Sequence, residues 1–486
     1  MADFSFYWYD YETFGVSPGR DRPSQFGGMR TDADFNPLGS PLLLYCKPAR
    51  DYLPDPEACL LTGITPQLAL QKGLPEAEFI ARIHQEFSVP GTCVVGYNSM
   101  RFDDEFTRHT LYRNLLDPYA REYRNGNSRW DLIDPLRLAR ALRPEGIEWP
   151  LDNDGKPSLR LEWLTQANGI VHDQAHDAVS DVLATLAMAR LFRERQPRLF
   201  RYLFDQRSKQ KAEALLQTGQ FVAVIHASEK FAAERHAIAI VVALCRHPSN
   251  PNGRVAYDLS VDPTPLLTLS PKELHARLYT PTHQLPEGVE RLPLKTVHIN
   301  KCPVLAPLNT LKPADAARLG IDLNRCQHHL DQLRHSEGLA SKIGAILDRG
   351  EQKERDGITD PDLMLYSGGF FSNEDKNLLD RLKSLPPTEL AGLDLPFEDE
   401  RLPEMLFRYR ARNYPETLTD EERSRFEEYR KRRLNDPAYG ASLTVRQYRD
   451  KLETLKINCE GDAQAGFVIE QLEQYLSDIQ ADQAAR

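Results

Sequence analysis

The chain has 486 residues, of which 41% are hydrophobic and 27% charged, with a net charge of −10. That length exceeds what one hydrophobic core serves, so two to four domains are expected. No run of eighteen apolar residues occurs, so a membrane-spanning helix is not expected, and the acidic balance argues against a basic, non-specific DNA coat. The N-terminus lacks the basic start and apolar run of a secretory signal. Seven cysteines, an odd number with no C-x-x-C pair, argue against a disulfide framework or a zinc ribbon and fit a reducing cytoplasm.

In chain order, Phe4–Gly15 opens as an aromatic strand that ends in Asp10-Tyr11-Glu12. A Gly-, Pro- and Arg-rich loop is expected over 15–28, followed by strands near 29–35 and 41–47 that extend the first into an antiparallel meander. Residues 54–66 read as turns. Apolar spacing predicts a helix over 75–87, and Thr92–Asn98 reads as a buried strand. Helices are expected from Phe102 toward Asn114, over 159–168 and over 174–193. Strands followed by strand–helix alternation suggest an α/β domain over 1–197.

Four β-branched runs at 221–227, 236–245, 254–261 and 294–299 suggest a small barrel or sandwich over 198–350, with short helices at about 313–319, 325–334 and 337–348. Residues 351–360 resemble a linker. The remainder, 361–486, reads as helical, with capping-box patterns at Ser372–Asp375 and Thr419–Glu422 and an amphipathic last helix near 462–482.

Three acidic constellations carry chemistry. Residues i and i+2 of a strand share a face, so Asp10 and Glu12 place two repelling carboxylates together; such a pair needs a cation or a shared proton. Asp103 and Asp104 follow a second strand at a helix start, where the macrodipole alone could account for them. His176 precedes Asp181 by five residues, with a helix beginning between them; a loop histidine and a capping Asp177 are the plain structural alternatives. Singly, each of these features is ordinary. Their order, spacing and setting together resemble the DEDDh family of 3′–5′ exonucleases, with Asp10, Glu12, Asp103, His176 and Asp181 on its five signature positions. Asp10–Gly15, Asp21–Phe26, Leu61–Pro66, Asn127–Asp131, Leu142–Ile147, Arg195–Phe200 and His298–Val304 resemble the bacterial exonuclease I branch, as does Arg408–Asn413 in looser form.

The resemblance implies an RNase H-like exonuclease domain, an SH3-like β-barrel domain and an α-helical C-terminal domain. It implies hydrolysis of single-stranded DNA from the 3′ end to 5′-mononucleotides, in DNA repair and recombination. Two Mg²⁺ ions, with Mn²⁺ as a substitute, would stabilise the attacking and leaving oxygens of the phosphodiester. Asp10, Glu12 and Asp181 are assigned direct metal contacts, Asp103 the completion of the second ion's shell, and His176 the role of general base. Glu12 is also a candidate contact to the terminal 3′-hydroxyl, with Thr13 and Phe14 beside it.

Residues 101–143 hold nine arginines, no lysines and interleaved aromatics, the composition of a single-strand channel, although seven acids share the window. Arg108, Tyr119, Tyr123 and Arg137 are the substrate-binding candidates there, and the resemblance adds Arg160 as a phosphate contact. The Phe407–Tyr414 cluster is expected either to close a channel or to cap a helix end. The resemblance also implies docking of the acidic C-terminal tail of single-stranded DNA-binding protein, with Arg143, Tyr202, Lys312 and Arg334 as anchors. It implies a monomer without membrane attachment. Two alternatives remain: an RNA or mixed-substrate exonuclease on the same fold, and a catalytically silent single-strand-binding scaffold.

Overall fold

The computed structural model describes residues 4–172, 176–355 and 357–484; for 348–355 and 482–484 it describes the backbone alone. Two compact units emerge. The first comprises Met1–Ser128, Asp173–Leu183 and Ile358–Arg486, and the second Arg129–His172 and Ala184–Gly357.

The first unit is built on β1 (Ser5–Thr13). It pairs antiparallel with β2 (Pro23–Thr31), which pairs antiparallel with β3 (Leu42–Tyr45). On its other edge β1 runs parallel to β4 (Thr92–Gly96). Period-2 alternation divides β1 cleanly. Tyr7, Tyr9 and Tyr11 enter a core with Phe26 and with Phe79, Ile80, Ile83 and Phe87 of one helix. Phe6 and Trp8 pack on Phe35 instead. Asp10 and Glu12 continue the Phe6–Trp8 series, so the strand that buries aromatic rings also delivers both carboxylates to one face.

The helices of this unit are α1 (Pro56–Thr62), α2 (Pro66–Lys72), α3 (Glu76–Ser88) and α4 (Asp103–Arg113). Two sequence expectations change. The stretch 54–66 is not merely turns: Pro56 and Pro66 occupy first helical positions, where a missing N–H costs nothing, and Asp55 and Thr65 cap the helices. The expected loop over 15–28 ends early, because β2 begins at Pro23 and includes Gly27 and Gly28. A Cβ on Gly27 would collide with the Ala178 backbone, so this glycine permits close approach of a helix start.

The C-terminal helices Arg401–Asn413, Asp420–Asn435, Val445–Asn458 and Ala463–Ala484 belong to this same unit. Phe14, Tyr52, Leu53 and Ile64 share one core with Leu434, Tyr448, Leu452, Leu472 and Tyr475. Tyr112 and Leu115 share another with Leu379, Leu402 and Met405. A buried ion network joins them. Asp51 is bound by Arg412 at 2.8 Å and Arg433 at 3.4 Å, and Asp362 by Arg412 at 2.8 Å and Arg408 at 3.1 Å. These guanidinium groups hold both carboxyls far below the usual range despite burial. The Phe407–Tyr414 cluster therefore neither closes a channel nor simply caps a helix. Its arginines fasten the helical segment to the N-terminal one.

β5 (Ser128–Asp131) carries the chain out of the first unit. The second unit contains α5 (Ile133–Leu142), which the sequence reading missed, and α6 (Leu161–Ala167). α7 (Ala178–Arg195) starts in the first unit and continues into the second. An antiparallel sheet follows, with β6 (Ala223–Ala227), β7 (Ile238–Arg246), β8 (Gly253–Asp258), β9 (Leu294–His298) and β10 (Val304–Pro307) in the order β10-β6-β7-β8-β9. The first four match expected strands; β10 was not foreseen. Its core is aliphatic, including Val224, Val241, Ala256, Val297 and Leu305. The helix Leu339–Arg355 runs through the first half of the expected 351–360 linker. No helix among the described residues is long and apolar enough to cross a membrane.

Candidate active site

The four acids of the site come from three elements of the first unit. β1 supplies Asp10 and Glu12, the start of α4 supplies Asp103, and the first turn of α7 supplies Asp181. Carboxylate oxygens of Asp10, Glu12 and Asp181 lie within 4.8 Å of one another. Asp103 stands outside that trio but beside it, and its Oδ1 accepts from the Tyr11 N–H at 3.2 Å. The neighbouring Asp104 is committed elsewhere: it accepts from Tyr9 Oη at 3.0 Å and from buried Arg121 at 2.6 Å. Two consecutive aspartates thus divide the work, one facing the acids and one locking α4 to β1.

The electrostatics follow from burial and like charge. Burial raises the Asp10 carboxyl well above its ordinary range, reinforced by Asp103, Asp181, Glu12 and Asp177. Burial likewise pushes Glu12 up to about 8, with Asp181 and Asp177 adding to it. The donor set is entirely carboxylate oxygen, which suits hard divalent ions such as Mg²⁺ or Mn²⁺.

Asp177 and Gln25 are contributors that the sequence reading did not assign to the site. Gln25, paired with Glu12 across the β1–β2 ladder, accepts from the Ala178 N–H at 2.9 Å and donates to Asp177 at 3.4 Å. Asp177 caps α7 by accepting from Ser180 N–H at 3.1 Å. The signal was present as a capping residue, but the long-range Gln25 contact was not legible. His176 is exposed and takes a left-handed backbone, φ 67°, with its N–H donating to Asp181 at 3.2 Å. Residues 173–175 of the same motif lie outside the described residues.

The expected substrate contacts divide sharply. Phe14 is fully buried in the core shared with the C-terminal helices, so its ring offers no face to a base. The buried Thr13 hydroxyl donates to Gly15 O at 2.6 Å. Arg108 is buried between Glu122 at 2.8 Å and Glu105 at 2.9 Å. Arg113 is buried against Glu76 at 2.7 Å, and Arg137 pairs with Asp134. The arginine-rich window is therefore largely internal scaffolding, because its acids were its partners. Tyr119 is half-buried beneath the Arg108 guanidinium, whereas Tyr123 is 63% exposed. Arg160 is exposed, with its guanidinium 5.3 Å from the Trp163 ring centre.

The partner candidates also differ. Arg143 donates to the Leu142 and Thr310 carbonyls, and Tyr202 Oη donates to Leu305 O at 3.2 Å. Lys312 is exposed, and Arg334 is exposed while paired with Asp331 at 3.1 Å.

Family models match the chain in three consecutive stretches. "Exonuclease" covers residues 7–189, "Exonuclease I SH3-like domain" 207–349 and "Exonuclease I C-terminal domain" 359–479. The chain is 49% identical to exodeoxyribonuclease I of Haemophilus influenzae, over 94% of this chain and 97% of that one. It is 47% identical to exodeoxyribonuclease I of Escherichia coli, over 98% of each. Among solved structures it is similar to exonuclease I of Methylocaldum szegediense, with 58% identity, TM-score 0.94 and coverage of 98% and 99%. E. coli exonuclease I in complex with a dA16 oligonucleotide gives 46% identity, TM-score 0.94 and coverage of 98% and 100%. An SSB/exonuclease I structure with the inhibitor CFAM gives 45% identity, TM-score 0.90 and the same coverage.

Proposed function

The chain belongs to the exonuclease I family, and from that premise we infer that it is a hydrolytic 3′–5′ exonuclease of single-stranded DNA. The observation that carries the reading is the cluster of Asp10, Glu12 and Asp181 with Asp103 beside it, whose mutual repulsion a divalent cation relieves. Divalent-metal dependence follows from the exonuclease domain; Mg²⁺, two ions per site, is our assignment of its identity, with Mn²⁺ able to substitute.

Asp10, Glu12 and Asp181 would hold the metal, with Asp103 beside them as a further carboxylate for it. When bound, such ions supply positive charge at the oxygens of the scissile phosphodiester. The chain's own residues do the rest. His176 accepts the proton of the attacking water, a role open to its exposed side chain just ahead of α7. Asp181 holds the His176 backbone by accepting from its N–H. Glu12 meets the terminal 3′-hydroxyl. Arg160 pairs with a phosphate, and its exposure supports that role. The products are 5′-mononucleotides, and the enzyme serves DNA repair and recombination in the cytoplasm as a monomer.

The proposed domains span 1–197, 198–350 and 361–486. We assign docking of the acidic tail of single-stranded DNA-binding protein to Arg143, Tyr202, Lys312 and Arg334. Support comes from the SSB/exonuclease I structure and from the exposure of Lys312 and Arg334.

The deciding experiment incubates 5′-labelled single-stranded DNA, and separately RNA, with the protein in Mg²⁺ and in EDTA. Mg²⁺-dependent shortening of DNA from its 3′ end is expected. RNA cut at the same rate would overturn the substrate assignment, and full activity in EDTA would overturn the metal assignment.

A further inference from the structure

The two residues of β2 that lie opposite the acids of β1 both meet the start of α7. In the β1–β2 ladder Asp10 pairs with Gly27 and Glu12 with Gln25. Directly opposed residues of an antiparallel pair share a face, so Gly27 and Gln25 stand on the acids' side of the sheet. Gly27 leaves room there. A Cβ on it would lie 2.4 Å from the Ala178 carbonyl carbon and oxygen and 2.7 Å from the Val179 nitrogen, all backbone atoms. Gln25, only 2% exposed, reaches across instead. Its Oε1 accepts from the Ala178 N–H at 2.9 Å, and its Nε2 donates to Asp177 at 3.4 Å. The Ala178 N–H is one of the first-turn donors that a helix leaves without an internal partner. Ala178 is fully buried, so without Gln25 that donor has no solvent to turn to. One turn on, the Asp181 N–H donates to Asp177 O at 3.0 Å, and the His176 N–H donates to the Asp181 carboxylate at 3.2 Å. Whatever holds residues 177–178 therefore also places Asp181 and His176.

We propose that Gln25 is a positioning residue for the acidic site: by fixing residues 177–178 against β2, it sets where the Asp181 carboxylate stands relative to Asp10 and Glu12. Its effect on metal affinity rests on the carboxylate cluster, and its effect on turnover rests on the nuclease reading above. Two observations favour this role over simple support of the fold. A helix start is ordinarily capped from its own sequence, and Asp177 already serves Ser180 in that way. The additional acceptor comes from the strand position that faces Glu12, so one side chain ties the second element of the site to the first. Gly27 does the same by absence of a side chain, opposite Asp10.

The test uses the full-length protein and Mn²⁺, whose binding is read without turnover from the loss of the free-ion electron paramagnetic resonance signal. Gln25→Met keeps the length of the arm and removes both hydrogen bonds. It should weaken Mn²⁺ binding by about 10- to 100-fold, the usual cost of losing a group that orients a metal ligand, and lower kcat by a similar factor. Affinity for single-stranded DNA in EDTA should stay at the wild-type value, because Gln25 is buried. Gln25→Asn keeps the amide on a shorter arm, and Gly27→Ala pushes residues 178–179 off the sheet. Both should show the same pattern, and they carry the test if the Met variant does not fold. Wild-type Mn²⁺ affinity and kcat in folded Gln25→Met or Gln25→Asn protein overturn the proposal. A fall in kcat that only tracks loss of folded protein, with unchanged Mn²⁺ affinity in the folded fraction, overturns it as well. If the variants lose Mn²⁺ affinity as expected but the wild-type protein never shortens DNA, the nuclease reading fails and the positioning role stands.

Discussion

The backbone N–H of His176 donates to the Asp181 carboxylate at 3.2 Å. One acid of the cluster therefore also holds the backbone of the residue that carries the imidazole. On the proposed assignment, loss of Asp181 removes a metal ligand and the acceptor of the His176 N–H together, so the two defects are coupled. The double variant Asp181→Asn/His176→Asn should lose far less than the product of the single losses. Single-turnover rates on a labelled oligonucleotide check this, and strictly multiplicative losses would mean the contact has no catalytic consequence.

Removing charge from the acids should stabilise the metal-free fold while destroying activity. Asp10 is raised by burial and then by three neighbouring carboxylates and Asp177. Asp10→Asn should lower the cleavage rate by about a thousandfold, roughly 4 kcal/mol of barrier. In EDTA the same variant should melt higher than wild type. A melting point below wild type would show that the Asp10 charge is compensated by something other than a cation.

The stability of the metal-free protein should fall as pH rises. Glu12 titrates at about 8 in the fold, above the ordinary carboxyl value near 4.3. Between those values the folded state binds more protons than the unfolded state, so ΔG of unfolding decreases with pH. The loss should run from about pH 5 to about pH 8 in EDTA and shrink when Mg²⁺ or Mn²⁺ is added. Metal titration at pH 7 should also release protons, measurable by calorimetry in two buffers of different ionisation enthalpy.

His176→Asn should cut kcat by about 10²- to 10⁴-fold, the range of a lost general base. DNA affinity in EDTA and the melting temperature should stay near wild type, because the side chain is exposed. A large drop in melting temperature would indicate a structural role instead.

Two arginines should behave in opposite ways. Arg412→Ala leaves Asp51 and Asp362 short of a buried partner and should destabilise the first unit by about 3–5 kcal/mol. Limited proteolysis should then release the C-terminal helices. Arg160→Ala should leave the melting temperature unchanged and raise KM for single-stranded DNA, since its guanidinium is exposed. Chemical denaturation paired with steady-state kinetics separates the two.

The local features of the site were legible in the sequence because they depend on short-range rules. Strand alternation placed Asp10 and Glu12 on one face, and a strand followed by a helix start located Asp103. The same rules found α3 and four of the five strands of the second sheet, where apolar spacing is regular. They failed for α1, where prolines that open a helix read as turns, and for β2, where glycines needed for close packing read as a loop.

Tertiary structure alone decided which charges are free. Arg108, Arg113 and Arg121 looked like a nucleic-acid surface, but Glu122, Glu76 and Asp104 neutralise them inside the fold. Phe14 looked available and is buried under helices more than 400 residues later in the chain. Order along the chain also concealed that 358–486 packs with 1–128 as one unit. Composition and spacing register which groups a segment carries. Whether a guanidinium meets a phosphate or a buried carboxylate depends on long-range partners, whose positions are fixed only when the chain closes on itself.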